Sequence, residues 1–490
     1  MPVIMSDSVD SVDITKLNAL AAGTNRKTPR IVAAGVGGRL MGTKSLVNVT
    51  ADQITEDSMK QMTLAEKDEA ERQKYTRETH ISDQPWTMRN WYQHINWLNL
   101  ILVVMFPLYG MWEATKHPLQ WKTAILGFTL YLASGLSITA GYHRLFSHTA
   151  YSASTPVRLF YAIVGAGAVQ GSIKWWAHSH RVHHRYTDTP RDPYDARQGL
   201  WYSHMGWMLV KANPKNRARA DISDLTSDWV VRFQHRHYLS LMLFMALGFP
   251  TIVAGVFWGD WWGGFIYGGI FKSFVIQQAT FCVNSLAHWI GSQPFDDRRT
   301  PRDHVITALA TFGEGYHNFH HEFPSDYRNA LKWYQYDPTK MVIWGLSKIG
   351  MAWNLKTFSQ NAIEQGLLQQ QEKKLEQMRQ KLRWGESVDA LPVMEREEFN
   401  ERSKKDGLIL IAGIVHDCKS FIKEHPGGQA LIRASLGKDA TKAFNGAVYR
   451  HSNAAHNMLA GMRIAVLRDS DVSSNTFQLQ QDYLEKEKIN

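Results

Sequence analysis

The residues most able to do chemistry in this chain are histidines. "HRVHH" holds His180, His183 and His184, and "HNFHH" repeats the spacing at His317, His320 and His321, more than a hundred residues later. "HRLFSH" adds His143 and His148, and "NSLAH" adds Asn284 and His288. On an α-helix, positions i, i+3 and i+4 share a face. Each HxxHH therefore projects three imidazoles toward one point, and two such helices set face to face offer six ligands. Asn284 and His288 stand at i, i+4. His143 and His148 are five apart, about 140° round a straight helix, and need a helix end to converge. Nine imidazoles exceed one ion's needs, since a catalytic zinc takes about three protein ligands plus water. Two metals with four or five nitrogens each match the count. Imidazole suits Fe, Zn, Cu and Ni alike, so ligand type alone does not choose the metal. The paired Glu-x-x-His motifs of soluble di-iron bundles are missing. The scattered His94, His117, His204, His235 and His237 read as structural or locally hydrogen-bonded.

The elements that must carry these clusters are apolar. No charged residue lies between His94 and Glu113, and 123–142 and 238–259 are also uncharged. Residues 261–288 carry only Lys272. Each run is near the roughly 20 residues that cross a bilayer core as helix, which predicts four transmembrane helices near 95–113, 120–141, 238–258 and 262–284. The net charge of +10 is not gathered into a stripe with interleaved aromatics, so nucleic acid is not expected as a partner. Thirteen Lys and Arg fall in 141–237, against two in the turn between the first two spans. The positive-inside rule then puts the long basic segments and both termini in the cytosol. Spans two and four end on that side, so all nine histidines gather at one membrane surface. The apolar stretch 159–173 is too short to cross and reads as interfacial or buried.

Residues 1–80 are polar and lack sustained periodicity, the composition of a largely disordered region. Residues 90–360 form an integral-membrane unit, 361–392 a solvated helical linker, 393–468 a second soluble unit, and 469–490 a polar tail. Two cysteines, Cys282 and Cys418, form no CxxC, which fits cytosol-facing domains. The N-terminus lacks a basic region followed by an apolar core, so the first span is expected to act as the targeting signal.

The motifs "GYHRLFSH", "HSHRVHHRYTDTPRDPYDARQGLWYSHMGW", "NSLAH" and "FGEGYHNFHHEFPSDYRN" resemble the membrane acyl-CoA Δ9-desaturases, the stearoyl-CoA desaturase family. The likeness covers about 90–350 and is nearest the fungal branch with a fused haem domain. It implies two irons held by His143, His148, His180, His183, His184, His288, His317, His320 and His321, with Asn284 reaching one through water. It also implies a bent acyl tunnel with Gln170, Trp176 and Thr280 at the kink and Tyr131 near the closed end. Lys211 would meet the phosphates of CoA. The chain departs from animal members at His178 and Ser179, where they carry a charged pair, and at Gly171, where they carry asparagine.

"EHPGGQALIRASLGKDATKAF" and "YRHSNAAHNML" resemble cytochrome b5. His425 and His451 match its axial haem b ligands, and His456 is a weaker alternative. Two axial histidines leave no open iron position, so such a haem carries electrons. The expected fold is mainly α: a four-transmembrane-helix desaturase with a cytosolic helical cap, plus a C-terminal α+β cytochrome b5-like haem domain. The expected activity is O2-dependent, di-iron insertion of a cis double bond into palmitoyl- or stearoyl-CoA in the endoplasmic reticulum membrane. Electrons would come from NADH through cytochrome b5 reductase and the fused haem. The alternatives are a histidine-box fatty acyl or sterol hydroxylase, and a membrane haem electron carrier whose histidines hold structural zinc.

Overall fold

The structure, a computed structural model, describes residues 80–446 and 450–468. The expected disordered region at the N-terminus and the polar tail fall almost wholly on 1–79 and 469–490, outside the described residues. Three helices among the described residues are long and apolar enough to cross a membrane: α1 (Trp97–Ala114), α2 (Trp121–Ser147) and a helix over Trp229–Trp258. Between α2 and that helix lie α3 (Thr155–Ala166) and α4 (Ile173–Tyr186), which makes the long helix α5. The fourth expected span corresponds to α6, helical over 261–284, which is not one of the three.

Local chemistry sets these boundaries. Asp228 caps α5, its carboxylate accepting from the amides of Val230 and Val231. Gly259 ends α5 in the left-handed conformation, and Asp260 at once caps α6 by accepting from Gly263 N–H. The expected span start at 238 is not the helix start. α5 begins at Trp229, and its backbone leaves helical geometry at His237 (φ −105°, ψ 15°). The polar stretch thus continues into the apolar one through a kink. α2 also runs past its expected end, to Ser147, through a π-helical segment Ser137–Ser147 whose residues are all buried.

The apolar core of this unit joins α2, α3, α4 and the start of α5 around Tyr142, Tyr161, Ile173 and Val230. α3 packs so closely on α2 that a Cβ at Gly141 would lie 2.6 Å from Tyr161 Cβ. α7 (His317–Glu322) is only six residues long. It is fixed by distant groups: Asp303 accepts from the amides of Asn318 and Phe319, and Asn318 ties back to Phe295, Asp296 and Pro301. α8 (Pro338–Lys348) and α9 (Gln360–Lys381) follow.

α9 is the expected linker helix, but its first half is seated rather than solvated. Ile363 is buried against Phe295, Phe319 and Phe323, and Leu367 packs beside it. Lys373 pairs with Asp297, and every residue from 371 to 381 is exposed. The few apolar positions that made the helix look free lie on one side of its first turns.

The second unit has a four-stranded sheet in the order β3–β6–β5–β4. Its strands are β3 (Val393–Met394), β4 (Leu408–Ile411), β5 (Ile414–Asp417) and β6 (Arg463–Leu467). β3 and β6 are parallel and the other pairs antiparallel. α10 (Arg396–Asp406), α11 (Gln429–Ser435), α12 (Thr441–Phe444) and α13 (Asn453–Ala460) surround it. The small strands β1 (Ser152–Ala153) and β2 (Ala352–Trp353) pair in the first unit. The α2–α3 contact is testable: Gly141→Ala should cost about 1–3 kcal/mol through overpacking, read as a lowered thermal midpoint of the detergent-solubilised protein. An unchanged midpoint would contradict this packing.

Candidate metal centre and haem cleft

The nine clustered histidines sort into two groups. His143, His148, His180, His184 and His320 form one, and His183, His288, His317 and His321 the other, with ligand nitrogens in each group within 4.8 Å of one another. The Nε2 atoms face inward. In the first group His143 and His320 approach to 3.0 Å, His148 and His180 to 2.8 Å, and His320 and His184 to 3.0 Å. In the second, His183 and His321 approach to 3.3 Å, His317 and His288 to 3.1 Å, and His321 and His317 to 3.0 Å.

The sharing between helices corrects the expectation that each HxxHH aims at one point. α4 sends His180 and His184 to the first group and His183 to the second. α7 sends His320 to the first and His317 and His321 to the second. On a helix, i and i+4 are about 40° apart while i+3 lies about 60° to the other side. The i, i+4 pair therefore aims together and the middle residue diverges. Two facing helices with opposite pairings serve two sites in a reciprocal way.

His143 and His148 converge through the π-helical end of α2, not through a simple stop. His148 N–H donates to the carbonyl of His143 at 3.1 Å, five residues back. That i→i+5 bond defines the π turn and returns the fifth residue to the same face. Asn284 and His288 do not share one continuous helix. α6 ends at Asn284, Ser285 is irregular (φ −111°, ψ −72°), and a short helix Leu286–Trp289 carries His288. The break turns His288 toward α7.

Burial first, and neighbouring imidazoles second, hold His148, His180, His184, His317, His320 and His321 well below the ordinary histidine range. Burial and His183 bring His288 down to about 3. Such rings are neutral and keep a lone pair. The outer nitrogens of three rings are tied down. His143 Nδ1 lies 2.7 Å from Glu314 Oε2, and His183 Nδ1 lies 2.8 Å from Asp192 Oδ1. A carboxylate only accepts, so each Nδ1 presents a proton to it and each Nε2 is turned inward. His288 Nδ1 lies 2.7 Å from Thr300 Oγ1, whose own proton goes to Asp188 at 2.6 Å. Burial alone would raise the Glu314 carboxyl, but the Arg144 guanidinium and the His143 ring hold it at about 2. Arg144 in turn pairs with Asp337 at 2.9 Å.

These residues suit metal ions. With metal–nitrogen bonds of about 2.1 Å, nitrogens at right-angled to tetrahedral positions lie about 3.0–3.4 Å apart, close to the Nε2 spacings above. Glu314, Asp192 and Thr300 were not singled out from sequence, although Glu314 and Asp192 lie inside the histidine motifs. The available signal was a carboxylate three residues before "HNFHH" and another eight after "HRVHH". The scattered histidines do other work: His204 bonds Ser285 and Gln278, His235 bonds Ser172, and His94 stacks on Trp86.

Gln170, Trp176 and Thr280 form one hydrogen-bonded corner. Gln170 Nε2 donates to Thr280 Oγ1 at 2.7 Å, and Trp176 Nε1 donates to Gln170 Oε1 at 3.3 Å. The Trp176 indole stacks on His180 with ring centres 5.0 Å apart. A narrow cavity of about 50 Å³ runs here between Trp176, Thr280, Asn284, Phe312, His143 and His180. Tyr131 packs on Phe312, ring centres 5.3 Å apart. Lys211 is exposed and lines a much larger cleft of about 1270 Å³, together with Arg191, Arg217 and Arg219. Gly171 is held at φ +91°, and a Cβ there would lie 2.5 Å from the Trp175 ring, which accounts for glycine at that position.

In the second unit, His425 and His451 face each other with ring centres 6.4 Å apart. That matches about 2 Å of metal–nitrogen bond on each side plus the half-width of each ring. His425 Nδ1 donates to Gly428 O at 3.1 Å and His451 Nδ1 to Phe444 O at 2.9 Å, which turns each Nε2 away from those carbonyls. Gly428 needs glycine for its φ of +91°, and a Cβ at Gly427 would lie 2.8 Å from the His425 ring. Ile409, Ile411, Ile422 and Ile432 line an apolar cluster on this side, joined by Phe421, Phe444 and Leu459.

Two predictions follow from these contacts. Glu314→Gln and Asp192→Asn should each weaken metal retention about 10–100-fold, measured as non-haem metal per chain against rising chelator. His451→Ala should abolish the Soret band of the purified chain while leaving its non-haem metal in place.

Comparison with known proteins agrees with this layout. The chain matches the fatty acid desaturase family over residues 119–354 and the cytochrome b5-like heme/steroid binding domain over 395–468. It is 58% identical to acyl-CoA desaturase 1 of Saccharomyces cerevisiae over 96% of this chain and 92% of that one. It is 54% identical to a probable acyl-CoA desaturase of Schizosaccharomyces pombe (79% of this chain, 81% of that one). The stearoyl-CoA desaturase of Homo sapiens is 36% identical over 54% of this chain and 76% of its own. With its paired histidine groups, apolar helices and bis-histidine second unit, the chain belongs to the acyl-CoA desaturase family, in the form that carries a C-terminal cytochrome b5-like domain.

Proposed function

We propose that this protein is an acyl-CoA Δ9-desaturase that inserts a cis double bond into palmitoyl- or stearoyl-CoA. The observation that carries the reading is the division of nine imidazoles into two inward-facing groups beside the Gln170–Thr280–Trp176 corner. His143, His148, His180, His184 and His320 would hold one iron. His183, His288, His317 and His321 would hold the other, with Asn284 assisting through water. When bound, the two irons supply with O2 the oxidising power that no side chain has. The balance is acyl-CoA plus O2, two electrons and two protons, giving the unsaturated acyl-CoA and two waters.

The chain's own residues supply position and dryness. Trp176, against His180, forms a wall of the cavity, and Gln170 with Thr280 makes the bend that the acyl chain follows. Tyr131 and Phe312 close the far end. Lys211, with Arg191, Arg217 and Arg219, lines a basic cleft suited to the phosphates of CoA. Glu314 and Asp192 hold protons on the outer nitrogens of His143 and His183, so that the inner lone pairs stay available.

In this reading α6 is the fourth span. The basic segments and both termini face the cytosol, and the membrane is that of the endoplasmic reticulum. His425 and His451 hold haem b. That haem would supply single electrons, drawn from NADH through cytochrome b5 reductase. Fusion raises the local concentration of the carrier, and the exposed half of α9 with the residues after it provides the tether.

The test is expression in a cell lacking its own desaturase, followed by fatty-acid analysis. Growth without added unsaturated fatty acid and a cis-9 product are expected. Hydroxylated product, or zinc in place of two non-haem irons per chain, would overturn the reading. His425→Ala should abolish desaturation unless free cytochrome b5 is added, and full activity of that variant with no external carrier would contradict the electron route.

A further inference from the structure

Lys272 is the one charged residue in 261–288, and it is 3% exposed. A buried ionisable side chain within an apolar helix is costly and marks function. Its Nζ donates to the carbonyl of Gly167 at 2.8 Å. Gly167 caps the C-terminal end of α3, where carbonyls lack helical partners and the macrodipole favours a cation. One turn further along α6, Gln277 Nε2 donates to the carbonyl of Val169 at 3.0 Å. From α5, the Tyr238 hydroxyl accepts from Gly171 N–H at 2.8 Å.

These three side chains grip one short turn, and that turn is strained. Val169 has φ +57° and Gly171 has φ +91°. A β-branched residue at positive φ is a marked outlier, and such strain persists only where the surroundings over-determine it. The residue between them is Gln170, whose amide bonds both Thr280 and Trp176.

We propose that Lys272, Gln277 and Tyr238 are positioning residues that fix the 167–171 turn, and through Gln170 set which carbon pair of the acyl chain lies at the metal centre. The proposal rests on the acyl-CoA desaturase reading above. Gln170 bonds Thr280 and Trp176, which line the cavity, so movement of its backbone moves the bend. A misplacement of about 1 Å, which can cost about 100-fold in rate, is also close to one methylene of chain register. A cap that served only to stabilise α3 would not affect where the double bond falls.

The experiment uses the full chain in a desaturase-deficient cell, with double-bond positions read by mass spectrometry of derivatised fatty acids. Lys272→Met, Gln277→Leu, Tyr238→Phe and Lys272→Arg are compared with wild type. Purified proteins are assayed for non-haem metal per chain and for inhibition by cis-9- against cis-11-octadecenoyl-CoA. Lys272→Met and Gln277→Leu are expected to raise the share of misplaced double bonds about fivefold, and to cut an about tenfold preference for the cis-9 inhibitor to about twofold. Lys272→Arg, which keeps the cation, is expected to retain both, and Tyr238→Phe to fall between. Variants that keep their metal and make less product at an unchanged position, with unchanged inhibitor preference, would overturn the proposal. If Lys272→Met fails to accumulate, Gln277→Leu and Tyr238→Phe decide it. A wild-type chain that makes no unsaturated product would instead overturn the desaturase reading.

Discussion

Nine imidazoles whose inward nitrogens lie about 3 Å apart do not gather unaided. Each must be stripped of water, kept neutral and turned inward. Desolvation supplies the first two conditions, because a buried ring disfavours the charged form. Orientation comes from the other side of three rings, where Glu314, Asp192 and Thr300 take the outer protons. Those partners are themselves held: Glu314 by Arg144 and Asn329, and Thr300 by Asp188. The buried Arg144–Glu314–Asp337 network is costly to bury and is compensated only when every member is paired. Much of the histidine-bearing part of this unit can be understood as the scaffold that keeps these pairings closed.

The same demand explains several irregular elements. A straight α2 would separate His143 from His148, and the π-helical turn brings them together. A continuous α6 would carry His288 on past its cluster, and the break at Ser285 redirects it. α7 is too short to be stable by propensity, yet it bears three of the nine histidines. Asp303 and Asn318 hold its backbone, and Ile363 of α9 packs against Phe319 from outside. The helix leading toward the second unit therefore also braces the histidine groups, and its exposed portion begins only after its seated turns.

The haem cleft obeys the same rule with simpler means. Backbone carbonyls of Gly428 and Phe444, not carboxylates, take the outer protons of His425 and His451. Neutral acceptors suffice there because each ring faces only one opposing ring. Glycines at 427 and 428 let the backbone fold under His425 without touching it.

The histidine clusters, the apolar runs and the HPGG turn were legible because each is local: residue type and spacing carry the information within a few positions. The family likeness followed from those motifs. The start of α5 at Trp229 was not legible, since a polar helix can continue into an apolar one through a kink. The seating of α9 was missed because a few apolar residues among many charges decide it. The corner of Gln170, Trp176 and Thr280 was expected from likeness, but its hydrogen bonds join residues more than a hundred positions apart. What the chain determined by itself was which histidines carry the repeated spacing and which segments are apolar. Only the tertiary structure decided that five histidines form one group and four the other. It also decided which carboxylates stand behind them, and that Lys272 grips the turn beside the cavity. Those outcomes depend on how separate helices are rotated and broken relative to one another, and no local spacing encodes that.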